Sequence, residues 1–536
     1  MTEKRYMPKP TFATKCADSL SSFFNRHPSW FWLGLIGIFC FGLFFRFWEL
    51  DRFNEGLIYD EHHYAKMANY YLTATPFLDG HPPLGKYMIV LGIWLSKLNP
   101  FGYSVRTVVT EFNFDLPTVS YRWMNALVGA CLPLLAAGIA YQLNRRYRYA
   151  LIAGSLTALD GLLLVESRYA LINIYLVTFG LLAQFCFLVA LSRPNKKSRK
   201  FWLRATGLAC GATVSVKWTG LGFLLSLYAL WGMVTISNYL WQRRNTSDSA
   251  AIANSNTVKL PYLKPLRATS DSDTESTASK HVLTNHPLRQ LSQIKWQDIS
   301  FYLGILPLAT YLLIWLPHIH QDPRHGLLGY QKQLYTWHTA MSDLVHRYGA
   351  PWYTWPVIGR SRPYHIEKID LPTDSVTDAN SVIYHYVSGM GNPFLWWQSA
   401  LAVIIITGVA IWAIPKLFSR TGLQQKSSTT NYLGWTTQGT ALFVSMGYMS
   451  NMLPWAAINR FSIIYHYMPA SLFSFLALAW VIDESLGSKV PWKEAMAVIS
   501  IIWVLFGFFY WLPLYWGLPL TPDDLERLVW FKTWSW

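Results

Sequence analysis

Hydrophobic residues in this chain are gathered into long runs separated by short polar and basic stretches. The first run, Phe31–Leu50, is long enough to cross a bilayer and has no small-residue cleavage site after it, so we interpret it as an uncleaved anchor. Further runs predict spans at about 123–143, 149–165, 169–192, 201–216, 219–241, 299–317, 395–414, 433–449, 461–482 and 495–514. The pattern predicts an all-α polytopic membrane protein with about eleven transmembrane helices.

Composition supports a membrane protein and argues against other classes. Hydrophobic residues make up 52% of the chain and charged residues only 14%, against roughly 25% charged in soluble proteins. The net charge of +16 would suggest nucleic acid in a soluble protein, but the basic residues cluster in short loops between apolar runs, so we expect no nucleic-acid partner. The five cysteines lie in the N-terminal tail or in apolar runs, which predicts neither a disulfide framework nor a metal site.

Basic loops predict the orientation of the spans. The loops 145–148, 193–200 and 416–426 are rich in arginine and lysine and contain no acidic residue. With eleven spans these loops fall on the side of the N-terminus, which the positive-inside rule places in the cytoplasm. We therefore expect a plasma (inner) membrane protein whose segments 51–122 and 318–394 and whose C-terminus face outward.

This topology divides the chain into five parts. They are a cytoplasmic tail (1–29), an N-terminal transmembrane module (30–241) with the first external loop (51–122), a cytoplasmic linker (242–298), a C-terminal transmembrane module (299–514) with an external segment (318–394), and an external tail (515–536). The linker is rich in Ser, Thr, Asn and Asp, a composition that cannot bury a core, so we predict that it is disordered.

The stretch Tyr59–Lys86 follows the first span and is the densest in chemical groups. It begins with the acidic pair Asp60-Glu61 and ends with His81-Pro82-Pro83-Leu84-Gly85-Lys86. Carboxylates this close to a bilayer usually mark a functional site, although an acidic pair also suits an ordinary helix N-terminus. We predict a surface helix over Glu61–Leu72, and a re-entrant or interfacial helix over Leu84–Leu98, which is too short to span.

Further polar residues lie at the predicted outer ends of the apolar runs. They are Arg122, Glu166-Ser167-Arg168-Tyr169, Lys217-Trp218, His346–Pro356, Gly391-Asn392-Pro393, Asn459-Arg460 and Tyr465-His466-Tyr467. Acidic groups at one end and arginines at several others predict a cavity with a base on one side and an anion-binding group on the other. Arginine matches a phosphate with its bidentate fork. The phosphate of a lipid-linked donor would lie at this depth, with its tail in the bilayer.

These motifs resemble those of the dolichyl-phosphate-mannose–protein O-mannosyltransferase family in its shorter bacterial form. The matching pieces are Asp60-Glu61-His62-His63-Tyr64, 79–86, Tyr121-Arg122, Ser167-Arg168-Tyr169, 217–220, 352–356, 391–393 with Trp396-Trp397, and 465–469. They occur in the family's order over residues 31–482. The resemblance implies the GT-C glycosyltransferase fold with an outward active site. Two features depart from the family: Asn173 stands where Asp is usual, and segment 318–394 is too short for the external β-trefoil domain of the eukaryotic enzymes.

The resemblance also implies roles for individual residues. Asp60 would be the general base and Glu61 would position the acceptor or Asp60. Arg122, His81, Lys86, Arg168 and Lys217 would bind the donor and its phosphate, and Trp218, Tyr353 and His466 would contact substrate. The alternative for Arg122, Arg168 and Lys217 is snorkelling from a span end to the interface. His81 would otherwise cap the re-entrant turn.

The predicted function is an inverting transfer of mannose from a polyprenyl phosphate to a Ser or Thr hydroxyl of a protein. The transfer would take place on the outer face of the plasma (inner) membrane. The alternative is the same donor chemistry with a lipid or glycan acceptor. A transporter is disfavoured because the charges cluster at span ends and Asp160 is the main candidate at the midplane. No cofactor and no essential metal are expected, since Glu61, His62 and His63 point apart on a helix. A dimer is a further expectation.

Overall fold

The computed structural model describes most of the chain. The described residues are 28–53, 59–96, 116–255, 291, 294–340, 346–370, 382–417, 429–458 and 461–535. Asn459 and Arg460, named above as polar residues at a span end, lie outside them.

The described chain is largely helical, as the hydrophobic runs predict. The helices are α1 Ser29–Phe47, α2 Tyr59–Leu72, α3 Leu84–Ser96, α4 Thr118–Asn144, α5 Tyr147–Ala158, α6 Gly161–Arg168, α7 Asn173–Leu191, α8 Lys196–Val216, α9 Leu221–Ser255, α10 Trp296–Gln321, α11 Gly326–Ala340, α12 Pro393–Leu417, α13 Thr429–Met452, α14 Met468–Leu486, α15 Pro491–Trp516 and α16 Pro522–Leu528. The predicted helices after the first span appear as α2 and α3, and Pro82-Pro83 directly precedes α3.

Eight of these helices are long and apolar enough to cross a membrane, and nine if the pair α5 and α6, bent by 59°, forms one span. Each of the eleven predicted spans overlaps a helix. However, α8 and α13, which overlap the predicted spans 201–216 and 433–449, are not among the eight. The chain is a multi-pass membrane protein, and the count of eleven stays a prediction.

A small antiparallel sheet, which the sequence did not predict, accompanies the helical architecture. Its strands are β1 Arg362–Asp370, β2 Val382–Gly389 and β3 Pro519–Leu520, in the order β1-β2-β3. The pairing of β1 with β2 shifts between Pro363 and His365. Irregularities of this kind often re-aim a side chain beside an active site, and this one directly follows Arg362.

Three segments that the sequence predicts on one membrane face meet in space. β1 and β2 belong to segment 318–394, and β3 belongs to the tail after α15. The Trp534 carbonyl accepts hydrogen bonds from Ser361 Oγ and Tyr386 Oη, both at 3.0 Å. From the first loop, Arg52 donates to the Gly517 carbonyl at 3.3 Å. The tail is therefore part of the folded structure at this end of the helices.

The helices α7 and α14 lie at the centre of the bundle, since 78% and 83% of the residues in their apolar stretches are buried. The helices α1 and α15 lie at its periphery, with 22% and 28% of those residues buried. Close helix packing depends on small residues. A Cβ at Gly207 of α8 would collide with the Tyr302 carbonyl of α10, and one at Gly211 would lie 2.7 Å from the Pro307 carbonyl. This Gly-x-x-x-Gly spacing lets two membrane helices approach closely, and it fixes α10, which leads directly into α11.

The predicted linker 242–298 is partly helical. Residues 242–255 continue α9, and 296–298 begin α10. Apart from residues 291, 294 and 295, the linker between these helices lies outside the described residues. A helix started by an apolar span can continue into a polar sequence, since propagation costs far less than nucleation.

Candidate active site

The acidic pair on α2 separates into two environments, because neighbouring side chains on a helix point about 100° apart. Glu61 is fully buried and forms a bidentate pair with Arg122, with N–O distances of 2.7 and 2.8 Å. Its Oε1 also accepts from the Ala170 backbone N–H at 2.9 Å. Glu61 therefore joins α2, α4 and the segment after α6. Its side chain points away from the partly exposed Asp60 side chain.

Arg122 directs its donors at the protein itself. Besides the pair with Glu61, it donates to the carbonyls of Leu50 at 3.0 Å, Arg52 at 2.8 Å and Phe53 at 3.4 Å. Its side chain is 1% exposed. The guanidinium therefore binds the carbonyls at the start of the loop after α1, and it is not directed at an open phosphate site.

Arg168 likewise binds backbone carbonyls. It donates to those of Phe45, Arg46, Trp48 and Glu49, at 2.8–3.3 Å. The last carbonyls of a helix have no partner within the helix, and Arg168 supplies donors to them at the end of α1. Its position thus matches neither snorkelling to the interface nor an anion site.

Asp60 remains partly open and pairs with a residue far away in sequence. Arg362, the first residue of β1, donates to its two carboxylate oxygens at 3.1 and 3.3 Å. The Asp60 side chain is 26% exposed. The Tyr465 ring lies 5.7 Å from the Arg362 guanidinium and 5.0 Å from Lys217 Nζ. Asp60 and Lys217 are therefore linked through Arg362 and one aromatic ring.

The loop before α3 is held by a buried carboxylate. Asp79 accepts from the Gly80 N–H at 2.7 Å and pairs with Lys86, and His63 Nε2 lies 3.3 Å from it. Lys86 also donates to the His81 carbonyl at 2.8 Å, and its side chain is 1% exposed. Lys86 therefore stabilises the loop that carries His81.

Lys217 ends a buried polar chain at the C-terminus of α8. Its ammonium donates to Asn173 Oδ1 at 2.6 Å, and Asn173 Nδ2 donates to Glu166 Oε2 at 3.0 Å. Tyr364 Oη donates to the other oxygen of Glu166. The neutral Asn173 therefore lies between the ammonium of Lys217 and the carboxylate of Glu166.

A cavity of about 880 Å³ opens beside Lys217. Its lining residues are His81, Lys217, Trp218, Thr219, Leu221, Gly222, Leu224, Leu225, Tyr228, Tyr335, His338, Thr339, Ser450, Asn451, Pro454, Trp455, Ile458 and His466. The polar groups His81, Lys217, His338 and His466 belong to segments around the start of α9, whereas Leu224, Leu225 and Tyr228 continue along α9 into its apolar part. The cavity has the character of a site for an amphiphile.

Four of the predicted site residues meet in this cavity: His81, Lys217, Trp218 and His466. Trp218 lies 6.0 Å from the ring of His338, which lies 5.6 Å from that of His81. Tyr353 is not brought to this cavity, since it is 66% exposed and absent from its lining.

Two polar residues near the site were missed by the sequence reasoning, Arg362 and His338. The alternation of apolar and polar residues in Tyr364–Glu367 could have indicated a strand, and hence a rigid support for Arg362. His338 follows an amphipathic segment and had no comparable signal.

The pKa values of two groups in the loop before α3 are shifted by their surroundings. Burial, followed by the positive charge of Lys217, holds the pKa of His81 well below its usual range, so its imidazole is neutral near pH 7. Burial opposes ionisation of Asp79, but the Lys86 ammonium and the contact with His63 outweigh it and hold the pKa of Asp79 well below its usual range. The cavity thus offers a neutral imidazole beside an ammonium.

No group of three potential ligands among His, Cys, Asp and Glu is close enough to hold a metal ion within the described residues. His63 and Asp79 approach each other, but Glu61 is committed to Arg122. The expectation that the reaction needs no metal is untested.

Two family profiles match nearly the whole chain. The profile "Dolichyl-phosphate-mannose-protein mannosyltransferase" matches residues 36–321, and "C-terminal four TMM region of protein-O-mannosyltransferase" matches residues 324–534. Their boundary falls between α10 and α11.

Similar proteins extend over most of the chain. The polyprenol-phosphate-mannose–protein mannosyltransferase of Mycolicibacterium smegmatis is 23% identical over 89% of this chain and 87% of its own length. The protein of the same name from Corynebacterium glutamicum is 23% identical over 85% of this chain and 81% of its own. The S. cerevisiae protein O-mannosyltransferase Pmt1-Pmt2 complex bound to the sugar donor matches with a TM-score of 0.67 at 15% identity, covering 95% of this chain and 93% of that chain. This likeness confirms the predicted GT-C fold.

Proposed function

The chain belongs to the dolichyl-phosphate-mannose-protein mannosyltransferase family and is a glycosyltransferase, and from this premise we propose that it transfers mannose from a polyprenyl phosphate to a Ser or Thr hydroxyl of a protein. The cavity beside Lys217 supports this proposal most directly. It has a polar end with Lys217 and His81 and an apolar part along α9. A polyprenyl-phosphate sugar has the same division, with a charged head and a hydrocarbon tail.

In this proposal the donor phosphate binds at Lys217. The ammonium is a strong point donor that lines the cavity, and its bond to Asn173 holds it at the polar end. The neutral imidazole of His81, in the same cavity, supplies an N–H to a phosphate oxygen. Neutralising the phosphate as it departs lowers the barrier, because charge on the leaving oxygen grows in the transition state.

Asp60 is the general base of the proposed reaction. The acceptor hydroxyl oxygen attacks the anomeric carbon, the bond from that carbon to the phosphate oxygen breaks, and the phosphate leaves with the electron pair. The hydroxyl proton passes to Asp60, whose partial exposure leaves it accessible to an acceptor. One base opposite the leaving phosphate suffices for an inverting transfer.

Arg362, Glu61 and Arg122 act in this proposal through position. Arg362 orients the Asp60 carboxylate with two hydrogen bonds. The pair Glu61–Arg122 holds α2 against the carbonyls of the first loop, so that Asp60 projects towards β1. Of the residues expected to bind the donor phosphate, Lys217 and His81 keep that role in this proposal. Arg122 and Arg168 do not, since carbonyl groups occupy both guanidinium groups.

Purified protein in nanodiscs with a radiolabelled polyprenyl-phosphate mannose and a Ser/Thr peptide tests the proposal. Asp60→Asn should lower turnover by about 100- to 10,000-fold and leave donor affinity within about threefold of wild type. Asp370→Asn is the matched control, because it removes the same charge from a side chain that is 74% exposed on β1. Equal turnover in Asp60→Asn and wild type would remove Asp60 as the base. Label appearing in lipid or glycan in place of peptide would assign the alternative acceptor.

Orientation and assembly are further parts of the proposal. The site faces the outside of the plasma (inner) membrane, with the loops 145–148 and 193–200 in the cytoplasm, as their arginines and lysines favour. The yeast neighbour is a complex of two chains, and we propose that this chain forms a dimer. Cysteine labelling from either side and the particle mass in nanodiscs test the two statements.

A further inference from the structure

A second cavity, of about 760 Å³, lies far from the cavity beside Lys217, which we call the catalytic cavity. It is bounded by the first turns of α1 and α8 and the last turns of α4 and α7. Trp202 near the start of α8 lines it, whereas Lys217, directly after α8, lines the catalytic cavity. At 1.5 Å per residue the two positions are roughly 22 Å apart along α8. The second cavity is thus at the opposite, predicted cytoplasmic, end of the helices.

The lining of this second cavity changes from apolar to basic along two helices in parallel. On α4 the order is Leu134, Ala137, Gly138, Tyr141, Gln142 and then Arg145, which follows the helix. On α7 and its end the order is Phe185, Val189, Ser192 and Arg193. The basic end is therefore at the membrane surface and the apolar end lies deeper, over roughly 12 to 16 Å of helix.

Aromatic rings form a collar at the depth where this change occurs. Tyr141 and Tyr147 stack with ring centroids 5.6 Å apart, and Phe31 lies 4.8 Å from Tyr147. The Arg145 guanidinium lies 5.3 Å from the Tyr141 ring. Such aromatic rings prefer the level of the lipid head groups.

The charge of the cavity lining has one sign. Among the described residues that line it there are two arginines, Arg145 and Arg193, and no carboxylate. The neighbouring Arg146 and Arg148 pair with Asp483 at the end of α14, at 3.0 and 2.6 Å, whereas Arg145 contacts Tyr141 and lines the second cavity. The basic loop thus divides into a part that joins helices and a part that faces the second cavity.

We propose that the second cavity binds an anionic phospholipid of the surrounding leaflet, with its phosphate at Arg145 and Arg193 and an acyl chain along the apolar end. A basic pocket between membrane helices fits an anionic head group, and a planar guanidinium matches a phosphate with two parallel hydrogen bonds. A soluble phosphate would leave the apolar depth unfilled, and a zwitterionic lipid would bring no net charge to the two arginines.

Native mass spectrometry and thermal unfolding of the purified full chain, with phosphatidylglycerol or phosphatidylcholine added, test the proposal. The wild-type protein should bind phosphatidylglycerol at least about tenfold more tightly than phosphatidylcholine. The variant Arg145→Asn/Arg193→Gln should lose this preference. Asn is chosen at position 145 because φ there is +55°, a left-handed conformation that Asn tolerates. If this variant fails to fold, Arg193→Gln alone should show a partial loss.

The control Lys196→Gln/Lys197→Gln also removes two positive charges, from exposed residues of 193–200 that do not line the cavity. It should keep the preference, and mannose transfer at saturating donor should be unchanged in both double variants. Equal binding of the two lipids, an equal loss in the control, or competition by millimolar inorganic phosphate would overturn the proposal. Lipid binding that appears only after residues 2–27 are removed would also overturn it, by assigning the cavity to that segment.

Discussion

The pair Glu61–Arg122 should contribute to stability much more than to donor binding. Both side chains are almost fully buried, at 0% and 1% exposure, and their two N–O distances are 2.7 and 2.8 Å. Removing one partner of such a pair leaves the other charge buried without compensation, which costs about 3–5 kcal/mol. Arg122→Met also frees the carbonyls of Leu50 and Arg52. We therefore expect about 4 kcal/mol of destabilisation from either Arg122→Met or Glu61→Gln.

A double-mutant cycle isolates this contribution. Unfolding by SDS in mixed micelles, followed by tryptophan fluorescence, gives the free energy of unfolding for each variant. The double variant Glu61→Gln/Arg122→Met should be at least about 2 kcal/mol more stable than the sum of the single effects predicts, because no charge remains buried alone. Arg527→Ala is the control, since its pair with Asp524 is exposed and should contribute about 0–1 kcal/mol.

Donor affinity distinguishes this reasoning from the role that the sequence suggested for Arg122. In the folded fraction of Arg122→Met, the Kd for the donor should stay within about threefold of wild type, because the guanidinium is directed at carbonyls. A stable, folded variant whose donor Kd rises more than about tenfold would refute the reasoning and restore Arg122 as a phosphate ligand. Purely additive free energies in the cycle would refute the stability argument.

Three further outcomes are expected. Arg362→Gln should lower turnover by about tenfold without changing the donor Kd, because it loosens Asp60 but leaves the base in place. Replacing residues 256–290 by a short Gly/Ser linker should leave transfer unchanged in a radiolabel assay, since this composition has no core to bury. Because the pKa of His81 is lowered in the folded state, the unfolded chain binds more protons below about pH 6.5; stability should therefore fall from pH 7 to 5, and His81→Gln should flatten that dependence.

The sequence predicts helices well here because each apolar run has to satisfy its own backbone in lipid. The pattern also predicts which residues stand at the same end, and four of them, including Lys217 and His81, meet in one cavity. The pattern could not predict which groups pair with a given charged side chain. Arg168 has the depth and chemistry of a phosphate ligand, yet four carbonyls at the end of α1 bind it. That choice depends on how α1 packs against α6, which no local pattern specifies.

The sheet was missed for a related physical reason. β1 contains only nine residues, and five of these, Glu367, Lys368 and Asp370 among them, are exposed. Its stability comes from pairing with β2 and from the tail beyond α15, so the signal is not local. Arg362, which holds the proposed base, was overlooked along with the strand that carries it.

The sheet also sets the order in which the enzyme matures during synthesis. Asp60 leaves the ribosome soon after the first span, but its partner Arg362 follows about 300 residues later. The strand β3 and Trp534, which brace β1 and β2, follow only after α15. Since chains fold from the N-terminus as they are made, the proposed base is held in place only once the final helices are inserted. A nascent or truncated chain should therefore transfer mannose more slowly than the complete one.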